Sequence, residues 1–352
     1  MKKIKLSDVL EYEQPSKYIV ESEQYKDEYK IPVLTAGKTF ILGYTNEEKG
    51  IYHAAKVNPI ILFDDFTTDC RYINFDFKVK SSAVKILKLK RNDNNLKYLY
   101  YLLKNIVYDT SSHKRYWISQ YSKFEIKLPN IEIQNEIVKE IGKIEELIEN
   151  KEKQIQKLNE LIKSKFAEMF ENEKYPKKCL IDVCEELFAG GDVKKEHTSR
   201  ERTDRFKYPI YTNGENLDGL YGYTDIIRVD KEAVTISARG TIGFSCIRKE
   251  PFYPAVRLIV TIPNKNLIDT VFLRQFIENK NYGGQGAGIP QLTVPMIKNE
   301  QIPIPPIKLQ KQFANIVEQI NNEKMICVKI VDKLNELKES KMQEYFGGVV
   351  NE

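Results

Sequence analysis

The stretch LPNIEIQNEIVKEI, beginning at Leu128, is rewritten as IPPIKLQKQFANIV beginning at Ile304, 176 residues further on in a chain of 352. The offset is half the chain. A second pair keeps it: KLNELIKSKFAEMF from Lys157 and KLNELKESKMQEYF from Lys333 share KLNEL and then a Ser, Lys, Glu and Phe in register. Such self-similarity marks an internal duplication. Upstream the relation is weaker, with KIPVLTAG from Lys30 against KYPIYTNG from Lys207 and AVKILKL from Ala83 against AVRLIVT from Ala255. The offset wanders there by several residues, so loops have changed length outside the strict repeat.

Apolar spacing explains the strictness. Ile137, Ile141, Ile144, Ile148, Ile155, Leu158, Ile162 and Met169 follow four-then-three spacing, interrupted by Lys151 and Lys165. In the second copy Phe313, Val317, Ile320, Cys327, Val331, Leu334 and Tyr345 hold the matching phase, interrupted by Lys324, Lys338 and Lys341. A period of about 3.5 is that of a coiled-coil seam, whose register an insertion would break. Pro129 and Pro305 precede the runs, where proline suits a helix entry but not its interior. Gly347 and Gly348 follow the second run as a stop. Each helix, about 38 residues at a 1.5 Å rise, reaches roughly 57 Å.

Two long helices and two globules define the expected organisation. Residues 1–130 form a first globule, 131–173 a long helix, 174–306 a second globule, 307–346 a second long helix and 347–352 a tail. If the second helix packs along the first, the two run antiparallel and the globules stand at opposite ends, a calliper with a pseudo-twofold axis. The globules read as mixed helix and strand. Strands are expected at IPVLTAG from Ile31, PIILF from Pro59, AVKILKLK from Ala83, AVTISARG from Ala233 and AVRLIVTIP from Ala255. Short helices are expected at LKYLYYLLKNI from Leu96 and LIDTVFLRQFIEN from Leu267. The fold class is α+β.

Charge follows the same division. Residues 78–127 carry twelve Lys or Arg against three acids, and residues 228–298 ten against five. The first long helix reverses the sign, with seven Lys and eleven Glu over 131–173, and the second is near balance. A basic excess recurring on two globules fits a polyanion held at two places. The N-terminus MKKIKLSDVLEYEQ turns polar where a signal peptide would turn apolar, and no apolar run approaches a membrane span. Five scattered cysteines without CxxC pairs read as reduced thiols in a cytoplasm, with no zinc site.

Catalytic motifs fail on inspection. Asn58-Pro59-Ile60-Ile61 lacks the second proline and the aromatic of an adenine methyltransferase motif, and Gly37-Lys38-Thr39 lacks the first glycine of a P-loop. Asp64 or Asp65 followed by Asp76-Phe77-Lys78 has the spacing of a metal-dependent nuclease, which keeps that class open as an alternative centred on Asp76 and Lys78. His53, His113 and His197 stand apart from any nucleophile or ligand spacing. A coiled-coil adaptor that binds only proteins is the other alternative.

The long heptad helices, each entered through a proline and then Gln, the run GIPQLTVPMIKNEQIPIPP from Gly288 and the turn SARGTIG from Ser237 together resemble the specificity subunit of type I restriction-modification systems. The likeness covers essentially the whole chain. The first half departs from it where SHKRYWISQYSKFEIKLP replaces the Gly-x-Pro-Gln approach. The resemblance implies that each globule is a target recognition domain reading one half of a split double-stranded DNA site. It implies that the helices set the gap and hold two adenine methyltransferase subunits, which use S-adenosylmethionine. Two ATP- and magnesium-dependent restriction subunits join where the system cuts DNA. The chain itself then needs no cofactor or metal and has no catalytic residue. Base and phosphate contacts are expected from Lys38, Arg71, Ser112, Lys114 and Arg115 in the first globule, and from Asn213, Arg239, Thr241, Gln285 and Gln291 in the second.

Overall fold

The computed structural model describes residues 2–37, 39–54, 58–108, 115–171, 175–280, 282, 291–348 and 350–351. Two helices dominate it, Ile131–Phe170 and Ile307–Phe346, of 40 residues each. The chain forms two compact units, Met1–Lys151 with Ile330–Glu352, and Glu152–Lys329. Each unit therefore takes one part of both long helices.

In the first unit the strands Leu10–Glu13, Val84–Leu89, Ile60–Asp64 and Cys70–Ile73 form an antiparallel sheet in that spatial order. Its central strand Ile60–Asp64 is buried along its whole length, as an unbroken apolar run predicts. A second sheet pairs Ile41–Thr45 with Ile31–Leu34 and, in parallel, Ile31–Leu34 with Lys78–Val79. A third joins Lys2–Lys5, Glu125–Leu128 and the C-terminal Val350–Asn351.

The second unit repeats this plan. Cys184–Ala189, Ile259–Pro263, Ala233–Ile236 and Ser245–Arg248 take the order of the first sheet. Leu220–Thr224, Tyr208–Tyr211 and Tyr253–Pro254 take that of the second, with Thr198–Ser199 added at the edge. Lys177–Cys179 with Gln301–Pro303 takes that of the third. Even the irregularities recur, since the register slips between Val33 and Leu34 and again between Ile210 and Tyr211.

The hydrogen-bonded register corrects one sequence alignment. Phe63 pairs Lys85 and Cys70, and Ile236 pairs Ile259 and Ser245, so Lys85 matches Ile259 and Ala83 matches Arg257, not Ala255. The expected strand from Ala255 begins only at Ile259. A turn intervenes in which Arg257 adopts φ 67°, a left-handed conformation closed by the Leu258 N–H donating to the Ala255 carbonyl at 3.1 Å.

Short helices cover one face of each main sheet. Leu96–Lys104 is capped by the Asn95 side chain, which accepts from the Lys97 and Tyr98 N–H groups, and Thr270–Asn279 is capped in the same way by Asp269. The long helices complete both cores. In the first unit Ile137, Ile141 and Phe346 pack with Leu99, Tyr101 and Leu102. In the second, Phe166, Phe170 and Phe313 pack with Phe272, the ring centroids 4.8 to 5.5 Å apart. Within each unit the paired helix segments run antiparallel. Glu145 meets Lys338 and Glu140 meets Lys341 in the first unit, while Asn159 meets Lys324 and Phe166 meets Phe313 in the second.

Candidate nucleic-acid interface

Loops at one end of the second unit's strands converge through Asn213. Its carbonyl oxygen accepts the Ala238 N–H at 2.6 Å and its amide donates to the Val256 carbonyl at 3.2 Å. The adjoining Gly214, at φ 127°, donates its N–H to Ser237 Oγ at 3.0 Å. Three loops are thereby tied together. The expected reader Asn213 spends its polar atoms as a brace, because a loop cluster without secondary structure needs partners for its backbone groups.

On this frame Arg239 Nε and Nη2 lie 3.2 and 2.9 Å from Gln291 Oε1, and Arg257 Nη1 lies 3.3 Å from the same oxygen. Both arginines are exposed, and among the described residues neither meets a carboxylate. Thr241 does not share in this display. Its hydroxyl oxygen is buried without a partner among the described residues. Beside the cluster Leu217 and Asp218 are both left-handed, at φ 50° and 54°, and Leu217 is 80% exposed. Arg248 holds that loop. It is buried, lies 3.6 Å above the Tyr211 ring, and donates to the Asp218 carbonyl and to Thr235 Oγ1.

In the first unit Arg115 is exposed, its guanidinium 5.9 Å from the Phe66 ring centre. Arg71 is half-buried over Phe40 and paired with Asp69 at 3.2 Å. Lys104 holds the same carboxylate at 2.7 Å. Burial opposes the Asp69 charge, yet the hydrogen bond from Lys104 and the charges of Lys104 and Arg71 outweigh it and keep the carboxyl below its ordinary range. Arg71 is thus partly neutralised. Lys38, Ser112, Lys114 and Gln285 lie outside the described residues.

The heptad positions divide. Ile137, Ile141, Ile144, Leu158, Ile162, Phe313, Val317, Ile320 and Cys327 are buried. Ile148, Ile155, Val331, Leu334, Met169 and Tyr345 are only half-buried. Near the helix C-termini burial passes instead to Phe166, Phe170 and Phe346. A helix of 3.6 residues per turn drifts against a strict heptad, so a face shared between the partner helix and a globular core, as at Phe166 and Phe170 against Phe313 and Phe272, moves to four-residue steps.

The nuclease alternative does not survive the geometry. Lys78 is buried with its ammonium on Glu47 Oε2 at 2.5 Å and the Lys49 carbonyl at 2.7 Å, and Asp76 faces His53 at 2.7 Å. Asp64 accepts from the N–H groups of Phe66 and Thr67 and from the Thr67 hydroxyl. Asp65 pairs with the buried Lys85 at 3.0 Å and accepts the Trp117 N–H. Every group the alternative needs is committed to structure. His197, like His53, meets one carboxylate, Asp225 at 2.8 Å, and the five cysteines are free thiols. Among the described residues no three His, Cys, Asp or Glu form a metal-binding group.

Two features escape a reading of sequence alone. Arg257 is hidden inside an apparent strand, and only its turn exposes it. LSDV from Leu6 and LIDV from Leu180 open the two main sheets from equivalent short turns, a four-residue echo too brief to stand out unaided.

Residues 1–160 and 172–339 match the family model described as the type I restriction modification DNA specificity domain. Over 148 residues the chain is 49% identical to the specificity subunit of the type I restriction enzyme EcoR124I/EcoR124II of Escherichia coli, which covers 39% of this chain and 36% of that one. The chain thus matches about a third of that relative's length. A putative type I specificity subunit of Mycoplasma pneumoniae is 26% identical over 247 residues, 67% of each chain. The crystal structure of an S subunit from M. genitalium superposes with a TM-score of 0.57 at 16% identity, covering 97% of this chain and 95% of that one. A chain from a study of complex assembly and conformational transition in the type I R-M system gives 0.57 at 15%, covering 99% and 97%. At such identities these two likenesses concern the fold.

Proposed function

The chain belongs to the type I restriction-modification DNA specificity family, and we propose that it is the sequence-reading subunit of such a complex, without chemistry of its own. Residues 1–130 and 174–306 act as two target recognition domains, each reading one half of a bipartite duplex site. The helices 131–173 and 307–346 recruit two methyltransferase subunits and, where the system cuts, two restriction subunits, with 347–352 as a tail. S-adenosylmethionine and ATP with magnesium belong to those partners. The work is cytoplasmic, where the DNA is; among the described residues no helix is long and apolar enough to cross a membrane.

The observation that carries this reading is the duplication of a whole reader. The same three sheets recur in the same order, and the loops at one strand end present Arg115 in one unit and Arg239, Arg257 and Gln291 in the other. Arginines without carboxylate partners can seat on phosphates or base edges. Lys38, Ser112, Lys114 and Gln285 are proposed as further contacts of the same kind, while Arg71, Asn213 and Thr241 shape the loops.

The test is exchange of residues 178–303 for the corresponding segment of a related chain, in cells that also make the cognate methyltransferase. Sequencing of methylated adenines should show one half of the motif changed and the other kept. Methylation that ignores the exchange, or turnover by the isolated chain with S-adenosylmethionine or magnesium, defeats the proposal.

A further inference from the structure

Arg115 and Gln291 stand 176 residues apart, the offset of the strict repeat, and occupy the same place in it although SHKRYW and GIPQL share no residue in that register. The residue after each donates its backbone N–H to a matching carbonyl: Tyr116 to Asp65 at 2.9 Å, and Leu292 to Ala238 at 2.8 Å. Asp65 and Ala238 match because the residues before them close equivalent turns, Asp64 N–H to the Asp69 carbonyl and Ser237 N–H to the Phe244 carbonyl, each at 2.8 Å. Both segments then enter a one-turn helix, Tyr116–Ser119 and Val294–Ile297. The two side chains therefore emerge beside the same hairpin tip of the same sheet.

The chemistry at that place is also shared. A free glutamine offers a carbonyl and an amide, the pair that matches adenine N6 and N7. In the second unit the Gln291 carbonyl is already occupied by N–H groups of Arg239 and Arg257, and Arg257 is held there by a left-handed backbone that only surrounding hydrogen bonds sustain. What remains to face a ligand is the Gln291 amide and the unused guanidinium N–H groups, all donors. In the first unit Arg115 presents donors alone, with no carboxylate partner among the described residues. Guanine is the base that shows two acceptors, O6 and N7, side by side in the major groove, whereas adenine sets a donor beside its acceptor.

Resting on the DNA-reading role above, we propose that both units read a guanine from this one position, through Arg115 in the first half-site and through the Arg239–Arg257–Gln291 cluster in the second.

The test sequences methylated adenines in cells carrying the chain with its cognate methyltransferase subunit. The wild-type motif should contain a G·C pair in each half. Arg115→Ala should make one G·C pair degenerate in one half, with discrimination lowered about 10- to 100-fold at that pair. The other half stays specific and reports that the chain is folded. Arg239→Ala with Arg257→Ala should do the reverse. Arg115→Lys, which keeps charge but loses the planar fork, should relax the same pair more weakly. A half-site without a G·C pair overturns the proposal, as does relaxation at an A·T pair. So does a uniform loss of methylation with the motif intact, which would make these residues phosphate contacts. In each of those outcomes a bipartite motif that depends on the chain leaves the DNA-reading role standing; absence of any such motif defeats both.

Discussion

The side-chain carbonyl of Gln310 accepts the backbone N–H of Asp269 at 2.8 Å, while its amide donates to the Leu267 and Pro305 carbonyls at 3.1 and 2.8 Å. Asp269 in turn caps the helix Thr270–Asn279. The other copy repeats the device. Gln134 accepts from Asn95, the cap of Leu96–Lys104, at 2.8 Å and donates to the Pro129 carbonyl and Asn94 Oδ1. Both glutamines are buried. A single residue thus fastens the first turn of each long helix to the start of the short helix that covers the sheet, which is why Gln follows the proline entry in both repeats.

Gln310→Ala leaves a buried N–H and two carbonyls unpaired, and should cost about 2–4 kcal/mol. Gln310→Glu keeps the acceptor and loses both donors, so it should not restore stability. Urea unfolding with an unchanged slope would show the loss as a lower midpoint. A change under about 0.5 kcal/mol would mean that water replaces the amide at no cost.

Phe313→Ala empties a buried site among Phe166, Phe170 and Phe272 and should cost about 3–5 kcal/mol. Phe313→Leu should cost far less, because volume is largely kept. Equal losses in the two variants, read by thermal unfolding, would contradict a packing origin.

Glu145 accepts from the Tyr101 hydroxyl at 2.7 Å and pairs with Lys97 and Lys338 at 3.1 and 2.9 Å. Burial disfavours its charge, but the hydrogen bonds from Lys338 and Tyr101 and the nearby lysines prevail and hold it below its ordinary value of 4.5. The unfolded chain therefore takes up a proton first. The stability from this group is present above pH 4.5 and is lost as pH falls through the folded value. Glu145→Gln should lower stability at neutral pH and flatten the acid limb of the pH profile. Parallel profiles for the two proteins would assign acid sensitivity elsewhere.

DNA binding by the assembled complex should weaken with salt, since every neutralised phosphate releases counterions. Six phosphate contacts would imply about a thousandfold loss between roughly 50 and 200 mM. Titration of a fluorescent duplex at several salt concentrations measures it. A flat response would favour an adaptor that binds protein.

Sequence by itself determined the duplication, the two long helices and the apolar strands, because these depend on periodicity and the period is written in the chain. The Pro–x–x–x–x–Gln entry and the strand runs from Ile31, Pro59 and Ala233 needed no partner to be seen. Only the tertiary structure decided which polar side chains are bound to neighbours and which stand exposed. Asn213, Arg71 and Arg248 have the composition of readers, but close neighbours take up their hydrogen-bonding groups as braces and ion pairs. Arg257 reads as a strand residue until a left-handed turn lifts it out. Arg115 and Gln291 share no local sequence; the 176-residue offset sets them in register, but what seats both beside a hairpin tip is one backbone hydrogen bond from the following residue to a carbonyl about 50 positions away, Asp65 or Ala238. Loop function depends on such long-range pairings, which residue spacing does not encode, whereas a helix or strand declares its buried face every few residues.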